Sequence, residues 1–161
     1  MIVIVMGVTG AGKTTIGKLL ADELGWQFVD GDDFHPLANV EKMRRGIPLT
    51  DEDRRPWLAQ LRTQIQAWIA QHRNVVLACS ALKQSYRDEL RTGPEVRFVY
   101  LKGSPELIGE RLRARHGHFA GAQILAGQFA DIEEPADAVM LDVSAEPSQI
   151  VAEIRQKLGL A

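Results

Sequence analysis

Eight residues, GVTGAGKT from Gly7 to Thr14, hold the densest chemistry in the chain. They match the pattern GxxxxGK[ST] and follow an apolar run, Met1 to Met6, that reads as a buried strand. Gly7, Gly10 and Gly12 let the backbone turn sharply, so the amides of Val8, Thr9, Ala11 and their neighbours point inward. A helix starting near Lys13 adds the positive end of its dipole to the same spot, which suits a polyphosphate. Lys13 is then placed to reach the outer phosphates, and the Thr14 hydroxyl to supply one oxygen ligand to Mg²⁺, with Thr15 beside it.

A second cluster, Asp30-Gly31-Asp32-Asp33, follows the next apolar segment. At the carboxyl end of a parallel strand such residues face the ligand crevice. Asp30 is the expected Mg²⁺ ligand, and Asp32 is expected to face an acceptor hydroxyl and to take or orient its proton. Asp33 fits a capping or solvent-facing role. Two pairs of cations add a different signal. Lys83 and Arg87, then Arg111 and Arg115, stand four apart with no carboxylate three or four positions away. Like charges at that spacing cost roughly 0.2–0.5 kcal/mol, so an anion is expected against each pair. Arg91 has Asp88 within reach and reads as structural. His35, His116 and His118 lack any HExxH spacing with an acid, so a zinc-hydrolase site is unsupported and hydrogen-bonding roles are expected. His72 reads as surface.

These residues need a scaffold that brings loop ends together. Short apolar runs alternate with segments of helical period, the pattern of an α/β fold with a parallel sheet and crossover helices. Strands are expected near Ile2 to Met6, Gln27 to Val29, Val75 to Cys79, Arg97 to Leu101 and Ala138 to Val143. The helix after the phosphate loop repeats Ile16, Leu19, Leu20 and Leu24 and stops at Gly25. A long helix from about Asp53 to His72 carries Trp57, Leu61, Ile65, Trp68 and Ile69 on one stripe. A last helix spans Pro147 to Leu158, with Ile150, Val151, Ile154 and Leu158 on one face. The least patterned stretch, Arg115 to Gly127, is the candidate for a mobile lid.

The 161 residues suffice for one domain, taken as 1–161 with the lid at about 115–127. The composition, 45% hydrophobic and 25% charged with a formal net charge of −2, demands no nucleic acid. Cys79 is the only cysteine, which excludes an intramolecular disulfide and a four-cysteine zinc lid and fits a reducing cytoplasm. The six-residue apolar start reads as a strand and not as a leader, and no segment suits a bilayer.

Taken together, the chain resembles the gluconate kinases (gluconokinases) among the phosphate-loop small-molecule kinases. The resemblance rests on GVTGAGKT, on DGDDFHPLANVEKMRRGIPLTDEDRRPWL from Asp30 to Leu58, on ACSALKQSYRDELR from Ala78 to Arg91, on RLRARHGHF from Arg111 to Phe119 and on QFADIEEP from Gln128 to Pro135. It implies phosphoryl transfer from ATP, with Mg²⁺, to the 6-hydroxyl of D-gluconate. The implied scaffold is a five-stranded parallel sheet in a three-layer, nucleoside-kinase-like sandwich. Gluconate is an anion covered in hydroxyls, and Asp32, His35, Lys42, Arg54, Ser80, Lys83, Arg87 and His118 are expected to bind it. Lys13, Asp32 and Arg115 are the expected catalytic residues, with Arg111 and Arg115 on the nucleotide and lid side. The adenine is expected near Ser144 to Gln149, and family precedent favours a cytoplasmic homodimer.

Two departures fall in the lid region. His118-Phe119-Ala120-Gly121 stands where the family reads HFMP, and Gly127-Gln128-Phe129 where it reads SQF, so a looser lid is expected. A nucleotide-switch protein is the rival from another class. The chain has no NKxD, and its only DxxG, Asp22 to Gly25, falls inside the first helix. A kinase for shikimate or a nucleoside monophosphate shares the phosphate chemistry, and only the acceptor motif argues against it.

Overall fold

The computed structural model describes residues 1–116 and 122–160. Chain order is β1 (Ile2–Met6), α1 (Lys13–Leu24), β2 (Gln27–Asp30), a 3₁₀ turn (Gly31–Phe34), α2 (Leu37–Arg44), α3 (Asp51–Ala70), β3 (Val75–Ala78), α4 (Gln84–Leu90), β4 (Val96–Lys102), α5 (Pro105–His116), α6 (Ala122–Asp131), β5 (Val139–Asp142) and α7 (Pro147–Leu158). The five strands form one sheet in the order β2-β3-β1-β4-β5, every pair parallel.

Strand alternation sorts the core into two layers. On β1, Val3 and Val5 face the side holding Ile16 and Leu20 of α1 and Ile150, Val151 and Ile154 of α7. Ile2, Ile4 and Met6 face the other side, against Trp57, Leu61, Ile65 and Trp68 of α3 and Tyr86 and Leu90 of α4. All five β1 residues are fully buried, as expected of a central strand covered on both faces. The result is the helix–sheet–helix sandwich expected from the sequence. The α3 stripe is the main anchor on its side. Burying each large side chain contributes about 1.5–3 kcal/mol, and cutting Trp57 back to alanine costs about 3–5 kcal/mol.

Helix ends follow local chemistry. β1 and α7 match their sequence spans, and Gly25 ends α1. α3 begins before the expected Asp53 because Thr50 caps it: Thr50 Oγ1 accepts the Asp53 amide at 3.1 Å and Asp53 Oδ2 accepts the Thr50 amide at 2.9 Å. Pro56 therefore stands one turn into the helix, not at its start. The stretch read as unpatterned is also corrected in part. Arg115 belongs to the end of α5, and residues 122–127 open α6, where Leu125 is buried. The remaining expected lid residues, 117–121, including His118, Ala120 and Gly121, lie outside the described residues.

The topology explains where ligands can go. From β1 the chain moves to β2 and β3 on one side of the sheet, then crosses to β4 and β5 on the other. Loops leaving the strand ends therefore diverge around β1 and open a crevice at the carboxyl edge. The phosphate loop, the acid cluster and Ser80 meet there, with the Gly7 amide donating to the Ser80 carbonyl at 3.3 Å.

Candidate active site

The phosphate loop is preformed. Gly12 precedes α1 with φ +98° and Gly10 has φ +80°, both in the left-handed region. Gly10 is further constrained because a Cβ there would stand 2.6 Å from Leu112 Cγ on α5. No side chain caps the start of α1, so its first-turn amides are left for an anion. Lys13 Nζ folds over the loop, donating to the carbonyls of Gly7 at 3.0 Å and Val8 at 2.9 Å. Burial lowers its pKa, and the negative charge of Asp32 opposes that shift.

Two cavities share this loop. One, of about 150 Å³, is lined by Thr9, Gly10, Gly12, Lys13, Thr14 and Thr15 together with Asp30, Asp32 and Arg115. The other, of about 200 Å³, is lined by Thr9, Lys13, Asp32, His35, Arg54, Trp57, Ser80 and Gln128, with apolar residues from Met43 to Leu49 closing one side. Thr9, Lys13 and Asp32 belong to both walls. A third hollow of about 150 Å³ extends the phosphate side toward Val143, Ala145, Pro147 and Ile150, with Ala11, Arg111 and Arg115 on its wall. It coincides with the segment expected near an adenine. Among the described residues, neither Arg111 nor Arg115 has a carboxylate within 4 Å.

The acids divide in role. Asp30 closes β2 and its Oδ1 accepts the Asp32 amide at 2.9 Å, so Asp30, not Asp33, caps the 3₁₀ turn. Asp32 projects into the crevice. The protein packed around it raises its pKa, against the pull of the Lys13 charge, while the side chain stays 62% exposed to the crevice. No group of three or more His, Cys, Asp or Glu among the described residues could hold a metal alone. Thr14 and Asp30 share the phosphate cavity as two oxygen donors. That set suits Mg²⁺, which keeps several waters and completes its shell with phosphate oxygens.

The structure brings only some of the expected acceptor-side residues together. Asp32, His35, Arg54 and Ser80 come together around the second cavity. Arg54 is buried and donates to the Tyr86 hydroxyl at 3.0 Å and to Asp131 at 3.2 Å. Lys42, Lys83 and Arg87 do not join them. Lys42 is held by Asp53 at 2.8 Å, and that pair, with the Thr50 amide, lowers the Asp53 carboxyl to about 2. Lys83 stands at the N-cap of α4 and pairs with Asp51 at 2.8 Å, and Asp51 also accepts a hydrogen bond from the Tyr86 hydroxyl. Arg87 is 1% exposed and spends its guanidinium on carbonyls: Ala81 at 2.7 Å, Leu82 at 3.0 Å and Glu133 at 2.7 Å. Lys83 finds its anion in Asp51, while Arg87 is met by neutral acceptors of the protein and by no carboxylate among the described residues. Arg91 is structural as expected, but its partner is Asp137 at 3.0 Å, not Asp88.

Three residues enter the site without having been singled out by motif or spacing. Trp57 was read as core, and it is, but its Nε1 donates to the Gly31 carbonyl at 2.8 Å and its ring stacks on His35 at 4.4 Å. Gln128 on α6 reaches the phosphate loop, its Oε1 accepting the Thr9 amide at 2.6 Å. Asn39 is buried behind His35. Each is a lone polar side chain whose partner lies across a turn or across the fold.

Comparison with known proteins agrees with this geometry. A family model described as shikimate kinase matches residues 9–158. A probable gluconokinase of Xenopus tropicalis is 44% identical over 96% of this chain and 91% of its own. Among solved structures, an unliganded sugar kinase from Janibacter sp. HTCC2649 superposes with TM-score 0.91 at 44% identity, covering 99% of this chain and 95% of the other. A gluconokinase from Sinorhizobium meliloti 1021 superposes with TM-score 0.84 at 38% identity, covering 98% and 94%. The chain therefore belongs to the shikimate kinase family of phosphate-loop kinases and, within it, to the gluconokinase family.

Proposed function

We infer that the chain transfers the γ-phosphoryl group of ATP to the 6-hydroxyl of D-gluconate, giving 6-phospho-D-gluconate and ADP. One observation carries the reading at the level of residues: the phosphate cavity and the acceptor cavity share Thr9, Lys13 and Asp32. A group bound to the loop can thus meet an alcohol in the second cavity without leaving the protein.

The loop amides and Lys13 hold the nucleotide's phosphates, and Lys13 steadies charge as the phosphoryl group moves. Thr14 and Asp30 would hold Mg²⁺ beside the loop, where the ion would supply positive charge against the phosphates. Arg115 closes the phosphate cavity from α5 and, with Arg111 behind it, meets the charge developing on the equatorial oxygens. Asp32 orients the alcohol and accepts its proton as the bond to phosphorus forms. Its raised pKa suits that task, because a carboxylate whose acid is weaker binds a proton more firmly. Arg54 supplies fixed positive charge for the substrate carboxylate, while Ser80 and His35 add hydrogen bonds. Only a loose transition state is required, so positioning dominates.

We place the enzyme in the cytoplasm, where ATP is available, and expect a homodimer. Light scattering on the purified protein checks the latter. The function itself is tested by ADP release with Mg-ATP across gluconate, other aldonates, shikimate and AMP. Gluconate is expected to give the highest kcat/KM; a preference for shikimate or AMP would replace the acceptor assignment. In Asp32→Asn, kcat is expected to fall about 100-fold with the ATP KM little changed. A defect confined to ATP affinity would move Asp32 to the nucleotide side.

A further inference from the structure

The wall of the acceptor cavity hides a polar side chain that no motif explains. Asn39 of α2 is 3% exposed, and its carboxamide nitrogen makes two contacts: to the Asp53 backbone carbonyl at 2.8 Å and to His35 Nδ1 at 3.1 Å. A backbone carbonyl accepts and never donates, so the amide group facing Asp53 must be the NH₂. Its second hydrogen then points at His35 Nδ1, which must present a lone pair. In a neutral imidazole the proton therefore sits on Nε2. Nε2 is the nitrogen turned toward the cavity, 3.7 Å from Asp32 Oδ1.

We propose that Asn39 is a positioning residue that locks His35 in its Nε2–H tautomer, so that the acceptor cavity presents a fixed N–H donor beside the Asp32 carboxylate. The ring cannot turn to escape this role. It lies flat on Trp57, 12° from parallel, and the Trp57 indole is itself tied to Gly31. The pair matches an alcohol, whose oxygen accepts from Nε2–H while its hydrogen goes to Asp32. A donor and an acceptor side by side fix both lone pair and proton of that hydroxyl, which aims the nucleophile.

His35 keeps this role as a neutral group. Burial and the Arg54 charge bring its pKa down to about 4, with Asp30 opposing and Asp32 the nearest carboxylate. Adding a proton at Nδ1 would also set one N–H against another, since Asn39 has no acceptor there. His35 thus donates a hydrogen bond and carries no proton in the reaction. The inference rests on the acceptor-site reading given under Proposed function, and the test separates the two.

The test uses the whole protein labelled with ¹⁵N-histidine, without substrate, near neutral pH. Long-range ¹H–¹⁵N spectra report which imidazole nitrogen is protonated, and His35→Gln assigns the signal. The native protein is expected to show a single Nε2–H tautomer. In Asn39→Ala both tautomers are expected, with kcat/KM for gluconate down about tenfold and the ATP KM within about twofold. Asn39→Asp, which cannot donate, is expected to draw the proton to Nδ1. An Nδ1–H ring in the native protein overturns the proposal. So does an unchanged Nε2–H signal in Asn39→Ala, which would make Asn39 a packing residue only. If that variant does not fold, the native spectrum still decides. A native Nε2–H ring in a protein that ignores gluconate would uphold the lock and overturn the substrate.

Discussion

Lys83 and Arg87 on one side of the molecule, and Arg111 and Arg115 on the other, look alike in the sequence. Both pairs stand four apart without a helical acid. In the structure they differ completely. The first pair is answered by the protein, Lys83 through Asp51 and Arg87 through three backbone carbonyls. The second pair lines the phosphate side, and among the described residues has no carboxylate within 4 Å. A cation without a local partner has a distant one, but that partner is as often a loop of the same chain as a ligand. What separates Arg87 from the second pair is burial. Arg87 is sealed from water and its charge is disfavoured there, whereas Arg111 and Arg115 remain exposed beside a hollow.

The contrast is broken most directly by removing one member of each pair. In Arg115→Ala, kcat is expected to fall on the order of 10³-fold with thermal stability unchanged, because the charge acts on the transferring group alone. Rapid-quench turnover and a melting curve check both halves; wild-type turnover would place Arg115 with the structural cations. Arg87→Ala is expected to do the reverse. It takes the guanidinium donors from the Ala81 and Glu133 carbonyls, while Leu82 keeps the Glu133 amide, and destabilises the fold by about 3 kcal/mol. Urea unfolding measures that loss, while the gluconate KM of the folded enzyme stays within about twofold.

The acceptor side offers an intermediate effect, driven by burial and not by pairing. The folded-state pKa of His35 lies near 4, below the 6.5 of an unfolded chain. The unfolded state therefore binds the extra proton, and stability falls as pH drops from 6.5 toward 4, on the order of 3 kcal/mol at the lower end. Unfolding free energies across that window should show a shallower fall in His35→Gln. Equal slopes would mean that the ring is charged in the native state. The smallest effect belongs to Lys83→Ala. Its partner Asp51 is 59% exposed, so water screens the pair and less than about 1 kcal/mol is expected, with gluconate kinetics unaltered. A large rise in gluconate KM would return Lys83 to the substrate site.

The sequence reveals the parts of this molecule whose causes are local. Met1 to Met6 before a glycine loop could only be a buried strand, and the apolar face of α7 was legible down to its ends. The phosphate loop declares itself because its function depends on backbone shape, and glycines mark that shape. α6 was not legible. Gly127 interrupts it, and its start adjoins residues of similarly small side chains. The acceptor site was half legible, since Asp32 and His35 sit next to a strand end where function concentrates. Asn39, Gln128 and the cage around Arg87 depend on contacts from 4 to 119 residues apart, for which no periodicity exists.

One contact reaches further than its single bond. Gln128 grips the Thr9 amide from α6, and three residues along the same helix Asp131 holds Arg54 in the wall of the acceptor cavity. On the proposed reading, both substrates act on the last turn of this one helix. A triphosphate that needs the Thr9 amide must dislodge Gln128, and a sugar acid that draws Arg54 inward must pull at Asp131. Their affinities are expected to be coupled, and whatever factor gluconate adds to nucleotide affinity, nucleotide must return to gluconate. Calorimetric titration of a non-hydrolysable ATP analogue, with and without gluconate, measures that factor, and a value of one would show that the helix does not move.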